Sequence, residues 1–209
     1  MEDTHKITAI KEWLGTGSIN IFGRPFAGKD THGRELVALF GGVLLGGGDI
    51  LRNSEVPEHV KELTRAGRLA PTEDYIRIVL PYLSQDEFAQ KPLILSSVGR
   101  WHGEEQGVLE ATEAAGHKTK AVLYLDISEK AVRERWRAKD HVGERGERHD
   151  DTEEILEIRL AEYKEKTLPV IDFYRNTDLL IEIDSTLDKR TVLDLIIDQL
   201  YQRARQATQ

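Results

Sequence analysis

The sequence predicts an α/β domain built on a parallel sheet, and three observations predict it. Short apolar runs alternate with longer segments of helical periodicity. The first run, Ile19–Phe22, stops at Gly23, and a turn-rich segment leads into a helix opened by Lys29. At 209 residues the chain is long enough to bury one substantial core, and it shows no internal repeat or linker.

The stretch Ser18–Arg34, SINIFGRPFAGKDTHGR, organises the rest. Four residues separate Gly23 from Gly28, and Lys29 follows, giving Gly-x-x-x-x-Gly-Lys between a strand and a helix. That spacing lets backbone N–H groups of the loop and helix N-terminus surround phosphate oxygens while the lysine reaches the outer phosphates. A Ser or Thr commonly follows the lysine as a magnesium ligand. Here Asp30 holds that slot and Thr31 comes one later.

The elements follow in order. Ile7, Ile10, Trp13 and Leu14 fall at helical spacing, and Gly15 and Gly17 end the run. This helix over 1–17 either packs on the domain's own surface or docks a partner. Val43–Leu45 reads as a short buried strand, and Gly46, Gly47 and Gly48 allow close backbone approach to a ligand. Asp49 is placed to cap a helical turn carrying Leu51 and Arg52. Pro57–Gly67 reads as a helix with proline in its first turn, and Gly67–Leu83 as a loop and another helix.

Pro92–Ser97 is a buried strand that ends at Gly99-Arg100, which puts an arginine at the sheet edge where α/β proteins bind ligands. A helix runs through Val108 and Leu109 to Gly116. Ala121–Leu125 is the next strand, followed by a helix rich in arginine. His141–Asp151 is charged and lacks amphipathic spacing, so it reads as a mobile loop, with His141 and His149 read as solvated in preference to catalytic or metal-bound. A long helix carrying Ile155, Ile158, Leu160 and Tyr163 is expected to end before Pro169. Asp178–Ile183 is the last strand, and Val192, Leu195, Ile196 and Leu200 mark a C-terminal helix.

Composition narrows the function. The net charge of −8, without a concentrated basic run, argues against nucleic acid as a partner. No cysteine is present, which removes disulfides and cysteine-bound zinc and fits a reducing compartment. No apolar segment of membrane-spanning length and no leader pattern is seen, so the expectation is a cytoplasmic protein without a membrane partner.

Taken together, these motifs resemble the adenylate kinase family of nucleoside-monophosphate kinases, from about residue 18 to the C-terminus. The family loop Gly-x-Pro-Gly-x-Gly-Lys-Gly-Thr matches GRPFAGKDT at Gly23, Pro25, Gly28, Lys29 and Thr31. GGDILR matches the element that carries an acceptor-phosphate arginine, here Arg52. SSVGR matches the strand end carrying a second one, Arg100. AVRERW gives Arg135, while ERHDD and IRL give Arg148 and Arg159.

The resemblance implies a three-layer P-loop NTPase fold with a five-stranded parallel sheet flanked by helices. It also implies a small acceptor-binding lobe near 47–76, a short lid near 139–151, and a monomer. The implied reaction is reversible transfer of the ATP γ-phosphate to a nucleoside monophosphate, with ATP and Mg2+ required. The implied donor site is Gly23, Pro25, Ala27, Gly28, Lys29, Asp30, Thr31 and Arg135. The implied acceptor site is Gly47, Arg52, Leu69, Arg100, Glu104, Arg148 and Arg159. Lys29, Arg100, Arg135, Arg148 and Arg159 are the expected catalytic charges.

Five departures stand out. Phe26 and Asp30 occupy glycine positions, and the Phe26 side chain must point away from the phosphates. Ser96 replaces an aspartate that organises magnesium-bound water, so Asp30 is the candidate to supply the missing carboxylate; alternatively it only stabilises its helix N-terminus. Gly47 replaces a threonine near the acceptor base. Glu104 falls where a glutamine often reads that base, and an ionised carboxylate only accepts hydrogen bonds. AMP is the default acceptor, with GMP or a pyrimidine nucleotide as the alternative. The competing readings are a nucleotide-binding protein with altered catalysis and another small-molecule kinase.

Overall fold

A computed structural model describes residues 2–47, 56–66, 68, 81–138 and 152–207. Its centre is a five-stranded sheet: β1 (Ser18–Gly23), β2 (Val43–Gly46), β3 (Leu93–Ser96), β4 (Thr119–Asp126) and β5 (Leu180–Asp184). The strands are ordered β2-β3-β1-β4-β5, and every pairing is parallel. Parallel strands need crossovers, and the helices of the alternating pattern supply them.

The helices are α1 (Glu2–Leu14), α2 (Lys29–Phe40), α3 (Glu58–Arg65), α4 (Glu105–Ala114), α5 (Glu129–Ala138), α6 (Glu153–Glu162), α7 (Leu168–Arg175) and α8 (Lys189–Gln206). The central strand β1 is buried along its whole length and shows no polar-out alternation. Alternate side chains serve two layers. Ile19 and Ile21 join α1, α2 and α8 through Ile10, Leu14, Leu36, Phe40, Ile196 and Leu200. Phe22 joins β4 and α7 on the opposite face through Val122, Tyr124, Val170, Ile171 and Tyr174. The N-terminal helix lies on α8, with Lys6 Nζ 2.8 Å from Asp198 Oδ1 and His5 edge-on to Tyr201.

One helix differs from the sequence expectation. The chain does not leave helical structure before Pro169. A π-turn at Tyr163–Thr167 joins α6 to α7, and Pro169 sits in the first turn of α7. Leu168 N–H, just before the proline, donates to Tyr163 O and carries the helical path through the π-turn. The expected helix at Gly67–Leu83 and the Asp49 cap fall largely or wholly outside the described residues. Among the described residues, no helix is long and apolar enough to cross a membrane.

Candidate active site

The site lies along the C-terminal edge of β1, β3 and β4. The loop after β1 is held through its carbonyls. Lys29 Nζ donates to Gly23 O (2.9 Å) and Arg24 O (3.0 Å). Arg135 of α5 donates to Phe26 O (3.1 Å) and to Ser185 O. Ser185 Oγ, just past β5, donates to Ala27 O (2.6 Å). These bonds occupy the loop carbonyls, and the amides of such a loop and the N-terminus of α2 are the groups that can meet an anion.

Gly28 caps that helix at φ 94°, a left-handed conformation that suits a residue without Cβ. Beside it, His32 is buried, and its Nδ1 lies 2.9 Å from Glu35 Oε2. Glu35 Oε1 in turn meets Lys189 Nζ at 3.3 Å. Burial pushes the His32 imidazole below its ordinary pKa, against the opposing pull of Glu35, which favours the neutral ring. Burial likewise lowers Arg135, which stays a cation as arginine does in proteins.

Phe26 also takes a left-handed conformation, with φ 63°. Phe26 is 9% exposed, and its side chain belongs to the core cluster with Leu36 and Ile183. A non-glycine residue in that region carries strain of about 1–2 kcal/mol, and burial of the ring offsets it. Phe26→Ala keeps the strain and loses the ring. It is expected to destabilise the protein by about 3 kcal/mol. Phe26→Gly also loses the ring but relieves the strain, so urea unfolding should find it about 1 kcal/mol more stable than the alanine variant. A glycine variant no more stable than alanine would rule out the strain.

The exit of β3 is the second half of the site. Ser96 is its last residue and pairs in register with Ile21 of β1 and Gly46 of β2. The chain then turns at Ser97, φ 53°, whose N–H donates to Ile21 O (3.0 Å). Asn20, in the middle of the otherwise apolar β1, fixes this turn. Its Nδ2 donates to Val98 O (2.7 Å) and its Oδ1 accepts from Val98 N (3.2 Å). Arg100 leaves the sheet immediately afterwards. The π-turn grips the same loop from outside: Thr167 Oγ1 donates to Arg100 O (3.1 Å), and Lys166 Nζ lies 4.3 Å from the Trp101 ring centre.

The predicted residues divide accordingly. Gly23, Pro25, Ala27, Gly28, Lys29, Asp30, Thr31 and Arg135 are gathered around the phosphate loop. Arg100 lies beyond the adjacent strand, and Gly47 is buried just after Gly46, the partner of Ser96. Arg159 is half-buried in the last turn of α6, the helix that continues into Thr167. Glu104 is 5% exposed, and its Oε2 accepts from Trp101 N (3.1 Å). Arg52, Leu69 and Arg148 lie outside the described residues. Asn20, Ser185, His32 and Thr167 escaped the sequence reading. Only Asn20 left a signal there, as a polar residue inside an apolar strand.

Oxygen donors are also present. Ser96 Oγ donates to Asp30 Oδ1 at 2.7 Å, and Thr31 is the next residue. A carboxylate held by a hydroxyl suits magnesium, which takes oxygen ligands and is usually held by one or two carboxylates plus substrate phosphates.

A phosphate loop after the central strand, and an arginine beyond the neighbouring one, define a P-loop kinase of small molecules. The family model described as adenylate kinase matches residues 21–179. The adenylate kinase of Cyanothece sp. (strain PCC 7425 / ATCC 29141) is 31% identical over 188 residues, covering 86% of this chain and 94% of its own. That of Caulobacter sp. (strain K31) is 33% identical over 177 residues, covering 82% and 92%. That of Thermosipho melanesiensis is 27% identical over 210 residues, covering 87% and 98%. The chain belongs to the adenylate kinase family, and it is a nucleoside-monophosphate kinase.

Proposed function

We propose that the acceptor is AMP, so that ATP and AMP give two ADP, and that the enzyme is magnesium-dependent, monomeric and cytoplasmic. The observation that carries the reading is the meeting of the Lys29 loop and the Arg100 turn at one sheet edge, joined by the Ser97 N–H to Ile21 O bond. The relatives' names favour AMP. The lack of cysteine accords with a reducing compartment.

Phosphoryl transfer asks a protein for positioning and positive charge. Lys29 and the loop amides hold the donor phosphates. Arg52 and Arg100 clamp the acceptor phosphate, using the two-point geometry of guanidinium. An acceptor oxygen forms the new bond to the γ-phosphorus as the β–γ bridging bond breaks, and its electrons leave on ADP. Arg135, Arg148 and Arg159 neutralise the charge that develops. Magnesium, when bound, would supply charge neutralisation on the phosphate oxygens, and Asp30 would hold it, directly or through water. Transfer to the acceptor also requires that water be kept from the γ-phosphate, which it would otherwise hydrolyse.

In this reading Glu104 is the residue that reads the acceptor base. Its carboxylate accepts a hydrogen bond from an exocyclic amino group but offers no donor to a ring nitrogen. A coupled assay of NDP formation, with AMP, GMP, CMP, UMP and dTMP offered separately, is expected to rank AMP first. Glu104→Gln should change the AMP-to-GMP ratio of kcat/KM by about fivefold or more. An unchanged ranking would remove Glu104 from base recognition. Absence of turnover with all five acceptors would overturn the kinase reading.

A further inference from the structure

Two residues that depart from the family pattern meet in space. Asp30 is the second residue of α2, directly after Lys29, and Ser96 is the last residue of β3. They are far apart in the chain, yet the Ser96 hydroxyl donates to Asp30 Oδ1 at 2.7 Å. Ser96 is 8% exposed and is paired on both sides, to Ile21 and Gly46, so its hydroxyl is held by the sheet. The bond therefore fixes the Asp30 carboxylate at the sheet edge, between the phosphate loop after β1 and the turn that carries Arg100.

In the kinase reading, a negative group there lies beside the loop that holds the donor phosphates. Anionic phosphates and a carboxylate repel one another unless a cation lies between them. A carboxylate acting only on its own helix N-terminus needs no partner on β3. The side chain is instead bonded to the end of β3, the strand beside β1.

We infer that Asp30, positioned by Ser96, carries the carboxylate function toward magnesium that the family pattern assigns to the Ser96 position. The carboxylate has moved from the strand end to the helix, and the serine left behind orients it. Asp30 is the residue facing the hydrated metal, and Ser96 acts only through Asp30. This inference rests on the kinase reading, since it is bound ATP that brings the metal.

The test measures metal binding without turnover. Mn2+, which is visible by electron paramagnetic resonance, is titrated into the protein saturated with a non-hydrolysable ATP analogue. Asp30→Asn is expected to weaken Mn2+ binding to the complex by about tenfold, and Ser96→Ala by about threefold. The exchange variant Asp30→Gly with Ser96→Asp, which returns the carboxylate to the strand, is expected to fall within about twofold of the parent. Wild-type Mn2+ affinity in both Asp30→Asn and Ser96→Ala would overturn the inference. So would an exchange variant no better than Asp30→Asn. Ser96→Ala leaves every charge in place, so it still reads out if Asp30→Asn fails to fold. Loss of NMP turnover in the parent protein would instead strike the kinase reading, and the Mn2+ titration separates the two failures.

Discussion

Replacing Lys29 with methionine is expected to lower kcat/KM by about a thousandfold, the scale on which single preorganised charges act in phosphoryl transfer. The Lys29 ammonium group lies across the mouth of the loop, bound to Gly23 O and Arg24 O. Methionine keeps most of the stem and removes the charge. The donor phosphates then lose their cation at the point where negative charge migrates to the β–γ bridge. The same substitution removes two charge-assisted bonds that shape the loop, so stability should fall by about 1–3 kcal/mol. The coupled NDP assay and urea unfolding measure the two effects separately. A variant within tenfold of the parent would show that Lys29 is not the phosphate lysine.

The second large effect is expected at Arg100. Arg100→Lys keeps the charge but loses the planar fork, and a lysine meets a phosphate as a point charge. The expected result is a fall of about a hundredfold in kcat/KM for the acceptor, with the KM for ATP within about threefold of the parent. The backbone of this turn is held independently of the side chain, by Asn20 on Val98 and Thr167 on the Arg100 carbonyl. The substitution should therefore leave the fold intact. Initial rates with each substrate varied in turn decide the matter. An equal shift in both KM values would move Arg100 out of the acceptor site.

The donor half was legible because its chemistry is contiguous. A buried strand, two glycines at fixed separation, a lysine and a helix fall within Ser18–Arg34, and each local preference points to the same loop. Strands β3 and β4 were legible for a related reason: near-continuous apolar runs mark parallel strands covered on both faces. The helix after Tyr163 was not. Pro169 reads locally as a stop, whereas the helical path continues through the π-turn at Tyr163–Thr167 into α7. That turn is also what brings Thr167 onto the Arg100 loop.

The sequence by itself determined the alternating architecture, the phosphate loop, the arginine at the end of β3 and the identity of the residues that depart from the family pattern. Tertiary structure alone decided which of them touch. Asn20 finds Val98, Ser185 finds Ala27, and Ser96 finds Asp30, each across a long separation in the chain. Periodicity says which face a side chain takes, because that depends on local backbone geometry. It carries no information on strand order, and the order β2-β3-β1-β4-β5 is what sets the phosphate loop, the arginine turn and the Asp30–Ser96 pair along one edge.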